Sequence, residues 1–353
     1  MSSEHPISVA ILGATGRQGR RRADAVARTP GLALGCLVDI PASSAALGEL
    51  SEKYRCAAST TWENVVQDPS IGAVVVCTPN SWHTPMTIGA LQGGKHVLVE
   101  KPLCDAMDSA EQMVAEAERA GVTLKVGFSY PYRAPVREGF QHLIDGTIGG
   151  LLGVRGVMSH SIFLEANQQR KWFSQPDQAG HGAWFDLGIH LVDLAHRAVL
   201  LAGDEFVGVN AQVAGGRLIA PGVDPQVLEE ECVALYRTRG GRLTSLHASW
   251  VEARPFLGCR FELIGELGRV EIDLGTRTVR RIVRRDGKAS ESVKEFDYVD
   301  PDPCWGAEMA EFRDMIRGDA DGRTCGRVGL RVHRLAFAAY ESARHEGLPV
   351  SLV

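Results

Sequence analysis

The stretch Ile7-Ser8-Val9-Ala10-Ile11-Leu12-Gly13-Ala14-Thr15-Gly16-Arg17-Gln18-Gly19 opens on a short apolar run rich in β-branched residues and passes straight into three glycines. Such a run reads as a buried strand, a tight turn and the start of a helix. The helix is expected from about Gln18 to Arg28, ending before Pro30-Gly31, and Leu32 to Val38 then forms a second strand that stops at Asp39. This is one βαβ unit with an acid at its far end, the pattern of a dinucleotide site.

The glycine spacing departs from G-x-G-x-x-G, because Thr15 and Gln18 stand at its second and third glycine positions. Taken alone it is a weak signal. Gly13 would allow the tight turn, Gly16 the close approach of backbone to a pyrophosphate, and Gly19 close packing of the helix, whose N-terminus favours an anion. Gly13, Thr15, Gly16, Arg17 and Gln18 are therefore expected to line the phosphate site. Asp39 suits ribose hydroxyls and would repel a 2′-phosphate, so NAD is favoured. NADP stays open as an alternative, since one of Arg17, Arg20, Arg21 and Arg22 could swing over to a phosphate.

Strand-helix alternation persists beyond Asp39. Helices are expected at 45–54, 83–92 and 106–120, and strands at 71–77, 97–99 and 124–128. Within Gly94-Lys95-His96-Val97-Leu98-Val99-Glu100-Lys101-Pro102, an apolar strand meets a charged pair and a proline. Open parallel sheets bind ligands outside the carboxyl ends of their strands, which would place Glu100 and Lys101 at the crevice. Pro102 restricts Lys101 to an extended backbone. By pattern alone, a solvated Glu-Lys pair is the simpler reading.

The chain changes character after Tyr130-Pro131-Tyr132-Arg133. Strand-like segments at 151–160, 208–215, 233–237, 243–251, 259–264 and 270–273 neighbour one another in sequence, with Gly240-Gly241 as a hairpin turn between two of them. A largely antiparallel sheet follows, covered on one face by helices at 183–201, 307–317 and 331–346. At 353 residues the chain exceeds one ordinary core. Two domains are expected, 1–129 and 130–353.

The net charge of -5 with interspersed signs advertises no face for nucleic acid. Eight cysteines without a C-x-x-C pair argue for buried thiols over a zinc site or disulfides. The polar residues after Met1 lack a leader pattern and no apolar run reaches spanning length, so a cytoplasmic protein without a membrane partner is expected.

Gly180-His181-Gly182-Ala183-Trp184-Phe185-Asp186-Leu187-Gly188-Ile189-His190-Leu191-Val192-Asp193 opens with glycines and continues as a helix that puts Asp186 and His190 on one face. Such a pair alone is more often capped or exposed than catalytic. His181, Asp193 and His196 raise a metal, but no ligand set with its own supporting shell stands out, and none is assigned.

Along nearly its whole length the chain resembles the Gfo/Idh/MocA oxidoreductases. The matching pieces are the glycine turn, Val76-Cys77-Thr78-Pro79-Asn80 with His83, Gly94 to Leu103, Gly146 to Gly150, Asp186-x-x-x-His190 with Asp193, and Ala339-Tyr340-Glu341-Ser342-Ala343. The resemblance implies a doubly wound Rossmann domain followed by an α/β domain with a large open sheet. It also implies Lys101, Asp186 and His190 as the catalytic group, with Thr78, Pro79, Asn80, His83 and Glu100 near the cofactor. His181 departs from the family, which often has glycine there.

The chemistry expected is removal of a hydroxyl proton while hydride leaves a secondary alcohol. His190 would act as base, Lys101 would stabilise the oxygen, and Asp186 would orient the substrate or the imidazole. Tyr130, Tyr132, Arg133, His160, Trp172 and His181 are candidate contacts to a sugar or polyol. Arg133, Arg170 and Lys171 are the hints of an anionic substrate. Three readings follow: a sugar or cyclitol dehydrogenase or ketosugar reductase, an NAD-dependent glycosidase, and a dinucleotide-binding sensor. A homodimer or homotetramer is expected.

Overall fold

Val9, Ala10, Ile11 and Leu12 have no solvent exposure, and neither do Ala73 to Val76 or Val97 to Val99. Such continuous apolar runs form strands buried on both faces, which is the condition of a parallel sheet covered by helices. The computed structural model describes residues 5–160, 175–219, 221–252, 258–297, 299 and 302–352. It contains two compact units, residues 1–129 with 300–331, and residues 130–299 with 332–353.

The first unit alternates β1 (Ile7–Leu12), α1 (Arg17–Arg28), β2 (Leu32–Val38), α2 (Ser44–Tyr54), β3 (Ala57–Ser59), α3 (Trp62–Gln67), β4 (Ala73–Val76), α4 (His83–Gln92), β5 (His96–Glu100), α5 (Met107–Ala120) and β6 (Leu124–Gly127). Its sheet runs β3-β2-β1-β4-β5-β6, parallel throughout. Strand order reverses between β1 and β4, so the glycine turn and the Thr78 segment leave the sheet side by side at the switch point. Gly13 takes φ 81°, and a Cβ there would lie 2.8 Å from the Cys77 carbonyl oxygen. At Gly19 a Cβ would stand 2.1 Å from the Gly13 carbonyl oxygen, which obliges glycine where α1 meets the turn.

The second unit contains α6 (Ala134–Ile144), β7 (Leu151–Ser159), α7 (Pro176–Ala179), a π-helical turn at Trp184–Gly188, α8 (Ile189–Leu201), β8 (Phe206–Gly215), β9 (Glu229–Thr238), β10 (Leu243–Ser249), β11 (Gly258–Gly265), β12 (Gly268–Asp273), β13 (Thr278–Arg285) and β14 (Lys288–Glu295). A final strand, β15 (Val350–Ser351), joins it. The sheet order is β14-β13-β12-β11-β7-β10-β9-β8-β15, and β7 with β10 is its one parallel pair among the described residues. On β9 and β10, Cys232, Ala234, Tyr236, Leu246 and Ala248 point into the core. Their alternates Val233, Leu235 and Leu243 are 49%, 43% and 52% exposed, so one face of this sheet is uncovered there. Strands β13 and β14 went unforeseen because their charged residues hide the alternation; every residue of β14 is exposed.

The expectation that everything after residue 129 belongs to the second domain is corrected for α9 (Cys304–Arg317), which lies in the first unit. The last helix, α10 (Gly326–Arg344), begins in the first unit and belongs to the second from Val332. Arg22 explains the position of α9. Its side chain on α1 is fully buried, 2.6 Å from Glu100 and 2.7 Å from Glu308, with Trp305 stacked 4.8 Å from the guanidinium. Lys125, also fully buried, donates to Glu311 at 2.7 Å and to Thr324 at 2.5 Å. Two buried cations on the sheet side therefore require the carboxylates of α9, since an unpaired buried charge is far costlier than an exposed one.

Arg22→Met should leave Glu100 and Glu308 facing each other in the core without a cation. Urea unfolding is expected to show a loss of about 3 kcal/mol or more. A loss below about 1 kcal/mol would mean that the carboxylates do not depend on this guanidinium.

Candidate active site

Within the first unit, the carboxyl ends of β1, β2, β4 and β5 bring the expected residues to one end of the sheet. Thr15 donates to Asp39 Oδ2 twice, through its backbone N–H at 2.8 Å and its hydroxyl at 2.7 Å. The threonine at the second glycine position thus fixes the orientation of the acid at the end of β2. Arg17 is exposed at the start of α1, with Gly16 as an N-cap that offers no side chain. Arg20 folds back to the Thr15 carbonyl at 2.9 Å and Arg21 donates to Gln18 at 3.0 Å. Arg22 is held in the core by its two carboxylates and is withdrawn from any phosphate, which corrects its place among the candidate partners.

Two further expectations need correction. Glu100 ends β5 nearly buried with Oε1 on Arg22, so its carboxylate supports the core and does not simply face a ligand. The His83 ring has Nδ1 2.7 Å from the Pro102 carbonyl oxygen and Nε2 3.0 Å from that of Thr78. Burial pushes its pKa down, against the upward pull of the two carbonyl oxygens. His83 therefore pins the Thr78-Pro79 segment against the Lys101-Pro102 segment, with no ring nitrogen turned to a cofactor. The Lys101-Pro102 peptide is cis, and Lys101 is half-buried.

A dinucleotide fits this end of the unit. The glycine turn leaves a cradle that side chains would fill, and the first turn of α1 has no capping side chain. The Thr78 hydroxyl is buried without a hydrogen-bond partner among the described residues, and Asn80 is nearly buried beside it in sequence. Gly13, Gly16, Thr15, Asp39, Thr78 and Asn80 would hold the pyrophosphate and ribose groups.

In the second unit the sequence 184–188 winds as a π turn, the Ile189 N–H reaching back to the Trp184 carbonyl. Such widened turns recur at functional sites. This one carries Asp186 and leads into α8, which opens on Ile189 and His190. The Trp250 indole donates to Asp186 Oδ2 at 3.1 Å, and His160 Nε2 lies 3.5 Å from the same oxygen. Both reach it because β7 and β10 run parallel, so His160 and Trp250 leave the same end of the sheet. The His160 N–H donates to the Ser249 carbonyl at 3.1 Å. On the other side the Tyr130 ring lies 4.3 Å from the His190 ring, with the Arg133 guanidinium 4.9 Å from that of Tyr130.

Thus Tyr130, Arg133, His160, Asp186 and His190 fall into two linked sets around the π turn. The His181 ring packs in an aromatic cluster, 4.7 Å from Tyr340, 4.7 Å from Phe185 and 5.6 Å from Phe337. Asp193 pairs with Arg197 at 3.1 Å, one turn along α8. Trp172, Arg170 and Lys171 lie outside the described residues. Trp250 was not foreseen, since its partner lies 64 residues away and the indole otherwise reads as core. Among the described residues, no group of three or more His, Cys, Asp or Glu could hold a metal ion, and no helix is long and apolar enough to cross a membrane.

Residues 7–128 match the family model described as "Oxidoreductase family, NAD-binding Rossmann fold", and residues 139–271 match the GFO/IDH/MocA C-terminal domain. Levoglucosan dehydrogenase of Pseudarthrobacter phenanthrenivorans is 30% identical over 153 residues, 43% of this chain and 38% of that one. The 1,5-anhydro-D-fructose reductase of Ensifer adhaerens is 26% identical over 278 residues, 77% of each chain. A structure of levoglucosan dehydrogenase with NADH and L-sorbose superposes with a TM-score of 0.88 at 21% identity, covering 99% of this chain and 100% of that one.

Replacing Asp39 with alanine should remove the charge that repels a 2′-phosphate. Fluorescence titration is expected to show NADPH gaining about tenfold relative to NADH, or roughly 1.4 kcal/mol. An unchanged NADH to NADPH ratio would show that Asp39 does not select the cofactor.

Proposed function

Because the chain belongs to the GFO/IDH/MocA family of NAD-binding oxidoreductases, we propose that it interconverts a secondary alcohol and the ketone on a sugar or cyclitol. The observation that carries this reading is the Asp186 carboxylate, held by the Trp250 indole and His160 four residues ahead of His190. When bound, the nicotinamide supplies the acceptor or donor of hydride. His190 takes the hydroxyl proton, imidazole being the side chain whose titration falls near neutral pH. Lys101, which follows β5 in the first unit, is the cation that the family resemblance implies for stabilising negative charge on the substrate oxygen. Asp186, with Trp250 fixing one oxygen, orients the substrate or supports the imidazolium. Tyr130 and Arg133 present an aromatic face and a fork of donors, which suit the apolar face and hydroxylated rim of a sugar. Relatives named for levoglucosan and 1,5-anhydro-D-fructose support a carbohydrate substrate.

A homodimer or homotetramer formed through the uncovered face of the second sheet, where Val233, Leu235 and Leu243 are exposed, is part of the same proposal. Light scattering at micromolar concentration should give a dimer or tetramer mass; a monomer mass would refute it.

Sugars, inositols and their phosphates screened with NAD and NADP should yield net NADH formation in proportion to ketone, an outcome that a redox-neutral glycosidase or a sensor cannot give. With the best of these, Lys101→Ala and His190→Ala should each lower kcat by about a hundredfold or more, with the fold intact by circular dichroism. Near-normal turnover in either would sink the assignment.

A further inference from the structure

Glu229, the first residue of β9, is 1% exposed, and its carboxylate collects three donors. Oε2 accepts the Gly182 N–H at 3.0 Å; Oε1 accepts the Trp184 N–H at 2.7 Å and the Tyr340 hydroxyl at 2.7 Å. Two of these are main-chain groups at the entry to the π turn, the donors that helical hydrogen bonding leaves over. The approach is close. A Cβ on Gly182 would stand 1.9 Å from the Glu229 carbonyl oxygen, so only glycine lets β9 reach the segment. From the other side α10 adds the Ala336 carbonyl, which accepts the Trp184 indole N–H at 3.2 Å.

This clamp lies one hydrogen bond from the chemistry assigned above. The Gly182 carbonyl accepts the Asp186 N–H at 3.0 Å, so the residue clamped through its N–H positions Asp186 through its C=O. The next residue, Glu230, accepts the Trp250 N–H on its own carbonyl at 2.9 Å, and the Trp250 indole then meets the Asp186 carboxylate. Two adjacent residues of one strand thus set both the backbone and the carboxylate of Asp186. Burial pushes the Glu229 carboxyl up to about 7 despite its donors, the mark of a group kept in the core at a cost.

We propose that Glu229, with Tyr340, is a positioning residue that clamps the entry of the π turn and thereby holds Asp186 and His190 in their working geometry. The inference rests on the catalytic reading of that pair. Its chemistry is demanding of the side chain, because glutamine at 229 has a single carbonyl oxygen and would turn an N–H against a backbone N–H at one of its two ends. Tyr340→Phe keeps the ring stacked on His181 and removes one donor.

The test uses the full chain and two readouts for Glu229→Gln and Tyr340→Phe. Amide hydrogen exchange should accelerate about tenfold or more at residues 182–190 while the rest of the second unit keeps its protection. With levoglucosan, myo-inositol and D-glucose as probes with NAD, kcat per NADH-binding site should fall roughly tenfold to a hundredfold in Glu229→Gln, while the NADH Kd stays unchanged. The loss in Tyr340→Phe should be smaller. Unchanged exchange at 182–190 would overturn the proposal, as would a loss of kcat no larger than the fraction of unfolded protein. A retained wild-type rate in His190→Ala would instead overturn the catalytic reading, while exchange would still report whether Glu229 clamps the turn.

Discussion

A guanidinium sealed from water is the constraint that orders the first unit. Arg22 cannot remain charged in the core without both Glu100 and Glu308, and each carboxylate arrives from a different part of the chain. Glu100 ends β5 immediately before Lys101, so the pairing that stabilises the core also fixes the backbone from which the lysine departs. Glu308 brings α9 back from the far end of the sequence to lie along α1. Charge neutralisation, together with the burial of Trp305, Met309 and Phe312, therefore explains why a helix from residues 304–317 completes a fold begun at residue 7.

The second unit solves a similar problem by spreading one acidic triplet over three elements. Glu229 binds the entry to the π turn, Glu230 accepts the N–H groups of Arg217, Leu218 and Ile219 at 3.2, 2.7 and 2.6 Å, and Glu231 lies 3.3 Å from His247. A register shift in the β8–β9 ladder between Ala214 and Gly215 interrupts the alternation here, so that Glu229 and Glu230 are both buried. The pair with His247 is half-exposed and contributes little, whereas the two buried carboxylates each accept main-chain N–H groups.

Much of this was legible in order along the chain. The strand, turn and helix at 7–28 follow from local pattern, as do α4 at 83–92 and the Asp186 to His190 spacing. What could not be read is the pairing across sequence. Glu100 looked like a ligand-facing acid because its partner is 78 residues away, and His83 looked like a cofactor contact because its acceptors are main-chain carbonyls that no residue type reveals. Trp250 has a single polar atom, and only the parallel run of β7 beside β10 brings it to Asp186. The resemblance to a family supplied the catalytic grouping; it could not show which of those residues are spent on the core.

The outer strand β14 bears on how the molecule behaves in concentrated solution. A nine-stranded open sheet ends in a row of unpaired main-chain groups, a template on which further strands can add. Here the terminal strand reads Lys288-Ala289-Ser290-Glu291-Ser292-Val293-Lys294-Glu295, charged on both of its faces, and its partner β13 brings Arg280, which pairs with Glu291 at 2.7 Å. A strand docking on that edge would have to desolvate these charges one after another. The opposite edge is only two residues long. Growth of the sheet by edge pairing is thereby discouraged at both ends.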